Sequence, residues 1–148
     1  MGYDRIFCLI DMDNKKKDAK SLSDYQKLKN KYHGKKVSKP SKGISYEITF
    51  IETDRCTELF FIYYFRYTGQ LYRESKDIES ELARICGYEK SKHFFATHPL
   101  HQYFQKQGGS LKEAIANSNK SVDSLRRGDR DYTYSEIGMM FRELGLVP

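Results

Sequence analysis

The chain has no tryptophan, only three cysteines and only three prolines among its 148 residues. Cys8, Cys56 and Cys86 are odd in number, scattered, and form no CxxC pair. That argues against a disulfide framework and against a zinc site. Cys8 and Cys86 stand among apolar neighbours and read as core thiols. No apolar stretch approaches bilayer length, so no membrane span is predicted. Asp4 and Arg5 interrupt the first residues, which therefore do not read as a secretory signal, and a cytoplasmic location is the expectation. What is abundant is aromatic: twelve tyrosines and nine phenylalanines supply much of the core of one domain, 1–148.

The most informative stretch is Arg5-Ile6-Phe7-Cys8-Leu9-Ile10, followed at once by Asp11-Met12-Asp13-Asn14. The apolar run reads as a strand buried on both faces in the middle of a parallel sheet. In such sheets the functional crevice lies beyond the carboxyl ends of the strands. Asp11 and Asp13 are placed there, two residues apart, where both can project towards one cation. Two hard carboxylates with few other ligands suit Mg²⁺ (or Mn²⁺), which keeps several waters. The competing structural reading makes Asp11 a helix N-cap and Asp13 a solvated turn residue. A calcium loop is excluded, because its sixth position is Lys16 rather than glycine and its twelfth is Leu22 rather than glutamate.

Charge is unevenly spread. Between Lys15 and Gly43, eleven lysines face only Asp18 and Asp24, so this segment carries +9 and the remainder −3 of the net +6. Lys15, Lys16, Lys17, Lys35 and Lys36 are the candidate contacts to a polyanion such as nucleic acid, which they would hold through sequence-independent phosphate contacts. The plainer alternative is a solvated helix and loop.

The pattern that follows predicts an α/β fold. A helix is expected over 18–32 from Leu22, Tyr25 and Leu28, with Ser21 or Ser23 as its cap, then a mobile loop over 35–43. The alternation of Ile44, Tyr46, Ile48 and Phe50 predicts a second strand, parallel to the first across a βαβ crossover. That strand ends at Glu52-Thr53-Asp54, which puts Glu52 on the same carboxyl edge as a further metal ligand. An apolar helix follows over 56–65. The βαβ-α portion is assigned to 1–68 and a purely helical portion to 69–148. Helices are expected over 77–86 with Gly87 as its stop, over 99–107, over 110–125 from a Ser110/Glu113 capping box, and over 134–144 from a Thr133/Glu136 box. His33 reads as the end of a helix, and His93, His98 and His101 as surface or packing residues, their spacing being wrong for one helical face. Arg126-Arg127-Gly128-Asp129-Arg130 reads as a solvated connector. Two strands make a poor core, so further strands are expected from a partner chain, such as a second copy, or from an N-terminal segment preceding Met1, the alternative being that the helices cover the exposed edge.

Two stretches carry a resemblance. Tyr3-Asp4-Arg5-Ile6-Phe7-Cys8-Leu9-Ile10-Asp11-Met12-Asp13 resembles the strand ending in Asp-x-Asp of the RloB-like family. Thr53-Asp54-Arg55-Cys56-Thr57-Glu58-Leu59-Phe60-Phe61-Ile62-Tyr63-Tyr64-Phe65 is similar to that family's Ser-Asn-Pro-Cys-Phe-Glu-Leu-Trp and the apolar helix after it. Tyr88-Glu89-Lys90 and the helix over 111–116 echo it more weakly. The resemblance implies a partial Toprim-like (Rossmannoid) parallel sheet, an association with bacterial abortive-infection and restriction loci, and metal acids at Asp11 and Asp13 with Glu58 as the helix-start glutamate. Asp54 and Arg55 stand where the family has Asn-Pro, Thr57 where it has an aromatic, and Tyr64 where it has histidine. Toprim-type sites also draw a glutamate from an earlier strand.

Three functions follow as expectations. The first is a Mg²⁺-dependent nuclease domain, or its relic, in phage defence, with Asp11, Asp13 and Glu58 as catalytic residues and Asp11, Asp13 and Glu52 as metal ligands. The second is a non-catalytic nucleic-acid-binding or interaction subunit working beside a defence ATPase. The third is a phosphatase of the haloacid-dehalogenase type, with Asp11 as nucleophile and Asp13 as acid.

Overall fold

Arg5–Asp11 forms strand β1 in the computed structural model, which describes residues 4–127 and 133–146. Gly128, Asp129 and Arg130 of the charged connector and Met1–Tyr3 lie outside the described residues. A single turn, α1 (Met12–Lys15), leads to helix α2 (Ala19–Tyr32). The α2 cap is Asp18, whose carboxylate accepts the Ser21 N–H; the serines proposed from sequence lie inside the helix.

The expected mobile loop is a strand. β2 (Lys35–Lys39) pairs antiparallel with β3 (Ile44–Asp54) through a 3₁₀ turn at Pro40–Lys42, closed by Gly43 at φ 62°. Only Val37 of β2 is apolar and half-buried, too little for alternation to announce a strand. β1 pairs parallel with β3 as expected, in the register Arg5↔Glu47 through Asp11↔Thr53.

The sheet order is β1-β3-β2, so β3 is central and β1 is an edge strand. That corrects the expectation of a doubly buried first strand. Its apolar run serves two separate clusters, one on each face, and Leu9 remains 50 % exposed. On one face Cys8, Ile10 and Phe50 pack with Met12 and Tyr25 under α2. On the other, Phe7 and Ile51 join the larger cluster built from the C-terminal helices.

That larger cluster centres on α3 (Glu58–Ile62), shorter than the helix expected over 56–65 because the chain turns at Tyr63–Phe65. Around it lie α4 (Ser75–Cys86), α5 (Lys92–Thr97), α6 (Leu100–Lys106) and α7 (Leu111–Arg126). Gly87 ends α4 at φ 74° and Ser110 caps α7, both as expected. Phe104 is almost wholly buried, with the rings of Phe61 and Tyr64 each centred 5.1 Å away. Three histidines pack and His93 is exposed: His98 stacks on Phe94 at 4.2 Å, His101 Nδ1 meets the Tyr64 hydroxyl at 3.0 Å, and His33 Nδ1 accepts the Phe50 N–H.

The last segment departs from expectation. Tyr134–Ser135 is not helical but forms β4, antiparallel to Thr53 and Asp54, and only Ile137–Glu143 is the helix, α8. The proposed capping box is spent otherwise: Thr133 Oγ1 donates to the Gln70 carbonyl, and Glu136 accepts the Glu52 N–H. Pairing with the open end of β3 satisfies backbone groups that a helix start would leave unpaired.

Candidate acidic site at the carboxyl end of the sheet

β1 delivers Asp11 to the strand end, where one of its carboxylate oxygens accepts both the Thr57 N–H at 2.8 Å and the Thr57 hydroxyl at 2.7 Å. Asp13 lies in the first turn of α1; its N–H donates to the Arg55 carbonyl at 3.0 Å. Its carboxylate accepts the Ser75 hydroxyl on one oxygen and the Asn14 N–H at 2.6 Å on the other. Both acids are thereby fastened to one turn, residues 55–57, between β3 and α3. Among the described residues, no lysine or arginine forms an ion pair with Asp11 or Asp13. Lys16 goes elsewhere: it is paired with Asp54, which also has Arg55 Nε at 3.7 Å.

Glu58 is brought to the same turn but inward. It is 4 % exposed, with Lys90 Nζ at 2.9 Å and the Tyr88 hydroxyl at 3.1 Å. Burial would raise its carboxyl, but the hydrogen bonds from Lys90 and the Cys56 thiol outweigh it and hold the group below the usual glutamate range. Burial, helped by the Glu58 charge, pushes Cys56 up to about 12, which keeps it a thiol.

Glu52 does not join the pair. Its register partner is Ile10, one residue before Asp11, so strand alternation directs the two acids to opposite faces of the sheet. There Glu52 accepts from Tyr25 at 2.6 Å and Tyr134 at 3.2 Å and lies 3.2 Å from Lys29 Nζ. Glu136, which sequence reasoning treated only as a cap, sits beside it, accepting the Glu52 N–H at 2.9 Å. Burial raises the Glu136 carboxyl above the ordinary value. Among the described residues, no three His, Cys, Asp or Glu side chains gather in an arrangement that holds a metal ion. Asp11 and Asp13 are left as the hard donors at the strand end, a set that matches the sparse carboxylate ligation of Mg²⁺.

The lysines divide. Lys15 and Lys17 border a shallow depression with Asn14 and Tyr25, and Lys16 enters a cleft of about 630 Å³. Lys35 and Lys36 lie on β2 opposite Ile48 and Glu47, roughly 20 Å back along β3 from its carboxyl end. The cleft is completed by Asp54, Arg55, Tyr72, Arg73 and Thr133. Arg55 is held there by its Nε bond to the Tyr72 carbonyl at 2.9 Å. Sequence reasoning missed both arginines as cationic contacts: Arg55 directly follows the end of β3, and no periodicity reveals that the segment carrying Arg73, after α3, returns over the strand ends.

No helix among the described residues is long and apolar enough to cross a membrane. No curated protein and no solved structure matches the chain. A family model does, described as RloB-like protein and matched over residues 1–144. That match spans both Asp11-Met12-Asp13 and the Cys56–Glu58 turn, and the chain therefore belongs to the RloB-like family.

Proposed function

We propose that the chain is a divalent-metal-dependent nuclease domain acting on nucleic-acid phosphodiesters in bacterial phage defence. One observation carries the reading: Asp11 and Asp13 share the 55–57 turn with no cationic side chain paired to either, while Lys16, Arg55 and Arg73 line the adjoining cleft. Two carboxylates kept clear of cations beside a basic cleft suit a metal and a phosphate ester together. Asp11 and Asp13 would hold Mg²⁺ (or Mn²⁺), which supplies charge neutralisation at the scissile phosphate. Lys16, Arg55 and Arg73 bind backbone phosphates, and Lys15 and Lys17 extend that contact along the rim. Lys35 and Lys36 reach only a substrate long enough to follow the sheet. Glu58 is a positioning residue: paired with Lys90, it anchors the start of α3 beside Thr57, which binds Asp11. The test is purified protein with DNA and RNA, with Mg²⁺ and with chelator: cleavage that needs the metal and disappears in Asp11→Ala is expected, and metal-indifferent cleavage overturns the reading.

A second reading is a non-catalytic nucleic-acid-binding or interaction subunit that works with a defence ATPase. What favours it is that Glu58 is taken by Lys90 and Glu52 lies on the far face, so among the described residues no third acid joins Asp11 and Asp13. Salt-sensitive binding without cleavage in either metal condition selects this reading.

A further inference from the structure

We infer, on the metal-dependent reading above, that Ser75 is a positioning residue whose hydroxyl fixes how Asp13 presents its carboxylate to the divalent cation. Ser75 begins α4, 62 residues from Asp13 in the chain, and its hydroxyl donates to Asp13 Oδ2. The Asn14 N–H occupies the other oxygen, Oδ1, at 2.6 Å. A donor on each oxygen restrains rotation of the carboxylate and leaves lone pairs over for a cation.

The helix itself does not need this hydroxyl. Its N-cap is Glu74, and a capping box between Glu74 and Asp77 already serves the free N–H groups of the first turn. Nor does burial demand a partner for it, since Ser75 is only half-buried and water could satisfy the group. What the bond does accomplish is to join the turn after β1 to the start of α4 through the side chain of a metal acid. The Arg55 carbonyl holds the Asp13 main chain, and Ser75 holds its side chain.

The two acids differ in how much they depend on such help. Asp11 Oδ1 accepts both the N–H and the hydroxyl of Thr57, so a main-chain donor keeps it in place whatever happens to the hydroxyl. Among the described residues, Asp11 Oδ2 takes no hydrogen bond and no ion pair, which leaves it as the open donor to a cation. Asp13 has no comparable main-chain anchor for its side chain, because the Asn14 N–H belongs to the next residue and moves with it. Ser75 is the one hydroxyl that ties this carboxylate to another element. Groups that hold a ligand from behind typically govern metal affinity by about 10–100-fold.

The test is calorimetric titration of the whole chain with Mg²⁺ in the absence of nucleic acid, so no cleavage is needed to read it. Ser75→Ala is expected to bind about 10-fold more weakly, while Ser75→Thr, which keeps the hydroxyl, stays within about twofold of the parent. Circular dichroism and the unfolding midpoint accompany each variant; a serine with only a structural role would move the midpoint and leave the affinity alone. Asp11→Asn serves as the reference for loss of the site. If the parent binds and Asp11→Asn does not, parental or tighter affinity in Ser75→Ala overturns the role of Ser75 and leaves the nuclease reading standing. Ser75→Thr as weak as Ser75→Ala overturns it equally. A parent that binds no Mg²⁺ overturns the nuclease reading itself, and the role of Ser75 falls with it.

Discussion

Lys16 closes on Asp54, so its charge is paired there and not with Asp11 or Asp13. Asp54 is the last residue of β3, and its side chain is only 11 % exposed, so a charge there needs a partner. The pairing keeps the basic segment close to the acids without neutralising them.

Lys16→Ala separates the two roles of this residue. Asp54 would retain only Arg55 at 3.7 Å. A loss of about 1 kcal/mol in urea unfolding is expected, modest because Lys16 is itself partly exposed. Under the proposed function nucleic-acid binding weakens alike for all sequences, and the slope of log affinity against log salt becomes shallower by about 1.

Asp11→Asn and Asp11→Ala are expected to part company. Asparagine keeps an acceptor for the Thr57 N–H and hydroxyl, so its unfolding free energy stays within about 1 kcal/mol of the parent. Alanine leaves both donors unpaired at a partly buried turn and costs about 1–3 kcal/mol. Under the proposed function both lose metal-dependent cleavage, and calorimetric titration with Mg²⁺ should show the loss of binding in Asp11→Asn without a change in fold.

The Glu58–Lys90 pair gives a pH signature. Because the folded carboxyl titrates below its ordinary value of 4.5, its contribution is present above that pH and is lost as pH falls through the lower folded value. In Lys90→Met the largest remaining influence is burial, which raises the carboxyl, so the charged form becomes a liability as pH rises. The gap in unfolding free energy between parent and variant should therefore widen from acid to neutral pH. It should reach about 1–2 kcal/mol, a figure reduced for the half-exposed ammonium. A gap independent of pH would show that the pair does not couple electrostatically.

Gly138 marks a close approach of α8 to α7. A Cβ there would lie 2.8 Å from Ser118 Oγ and 2.9 Å from the Ile115 carbonyl oxygen. Gly138→Ala is expected to cost about 1–3 kcal/mol in thermal or chemical unfolding. Adding Ser118→Ala should not restore stability, because the main-chain oxygen stays in place and the Gly138 N–H loses its acceptor at 2.9 Å.

Elements with a repeating apolar pattern and a chemical stop were legible: the parallel β1–β3 pair, α4 ending at Gly87, and α7 starting at Ser110. β2 and β4 were not. One offers a single apolar residue and the other is two residues long, and both exist because β3 has open backbone groups to pair. The apolar run of β1 could not distinguish a central strand from an edge strand that serves a cluster on each face. At the site, the placement of Asp11 and Asp13 at the strand end follows from their position after the run. The separation of Glu52 from them depends on register, which the sequence does not announce, and the cleft arginines depend on how the chain returns after α3.

β4 has a consequence for how this protein is made. Tyr134 and Ser135 supply the antiparallel partners of Thr53 and Asp54, and Thr53 Oγ1 meets Ser135 Oγ at 2.9 Å. During synthesis the first three strands leave the ribosome long before these residues do. The end of β3 thus gains its antiparallel partner only after α3 to α7 have been made, later than the turn and the serine that hold Asp11 and Asp13.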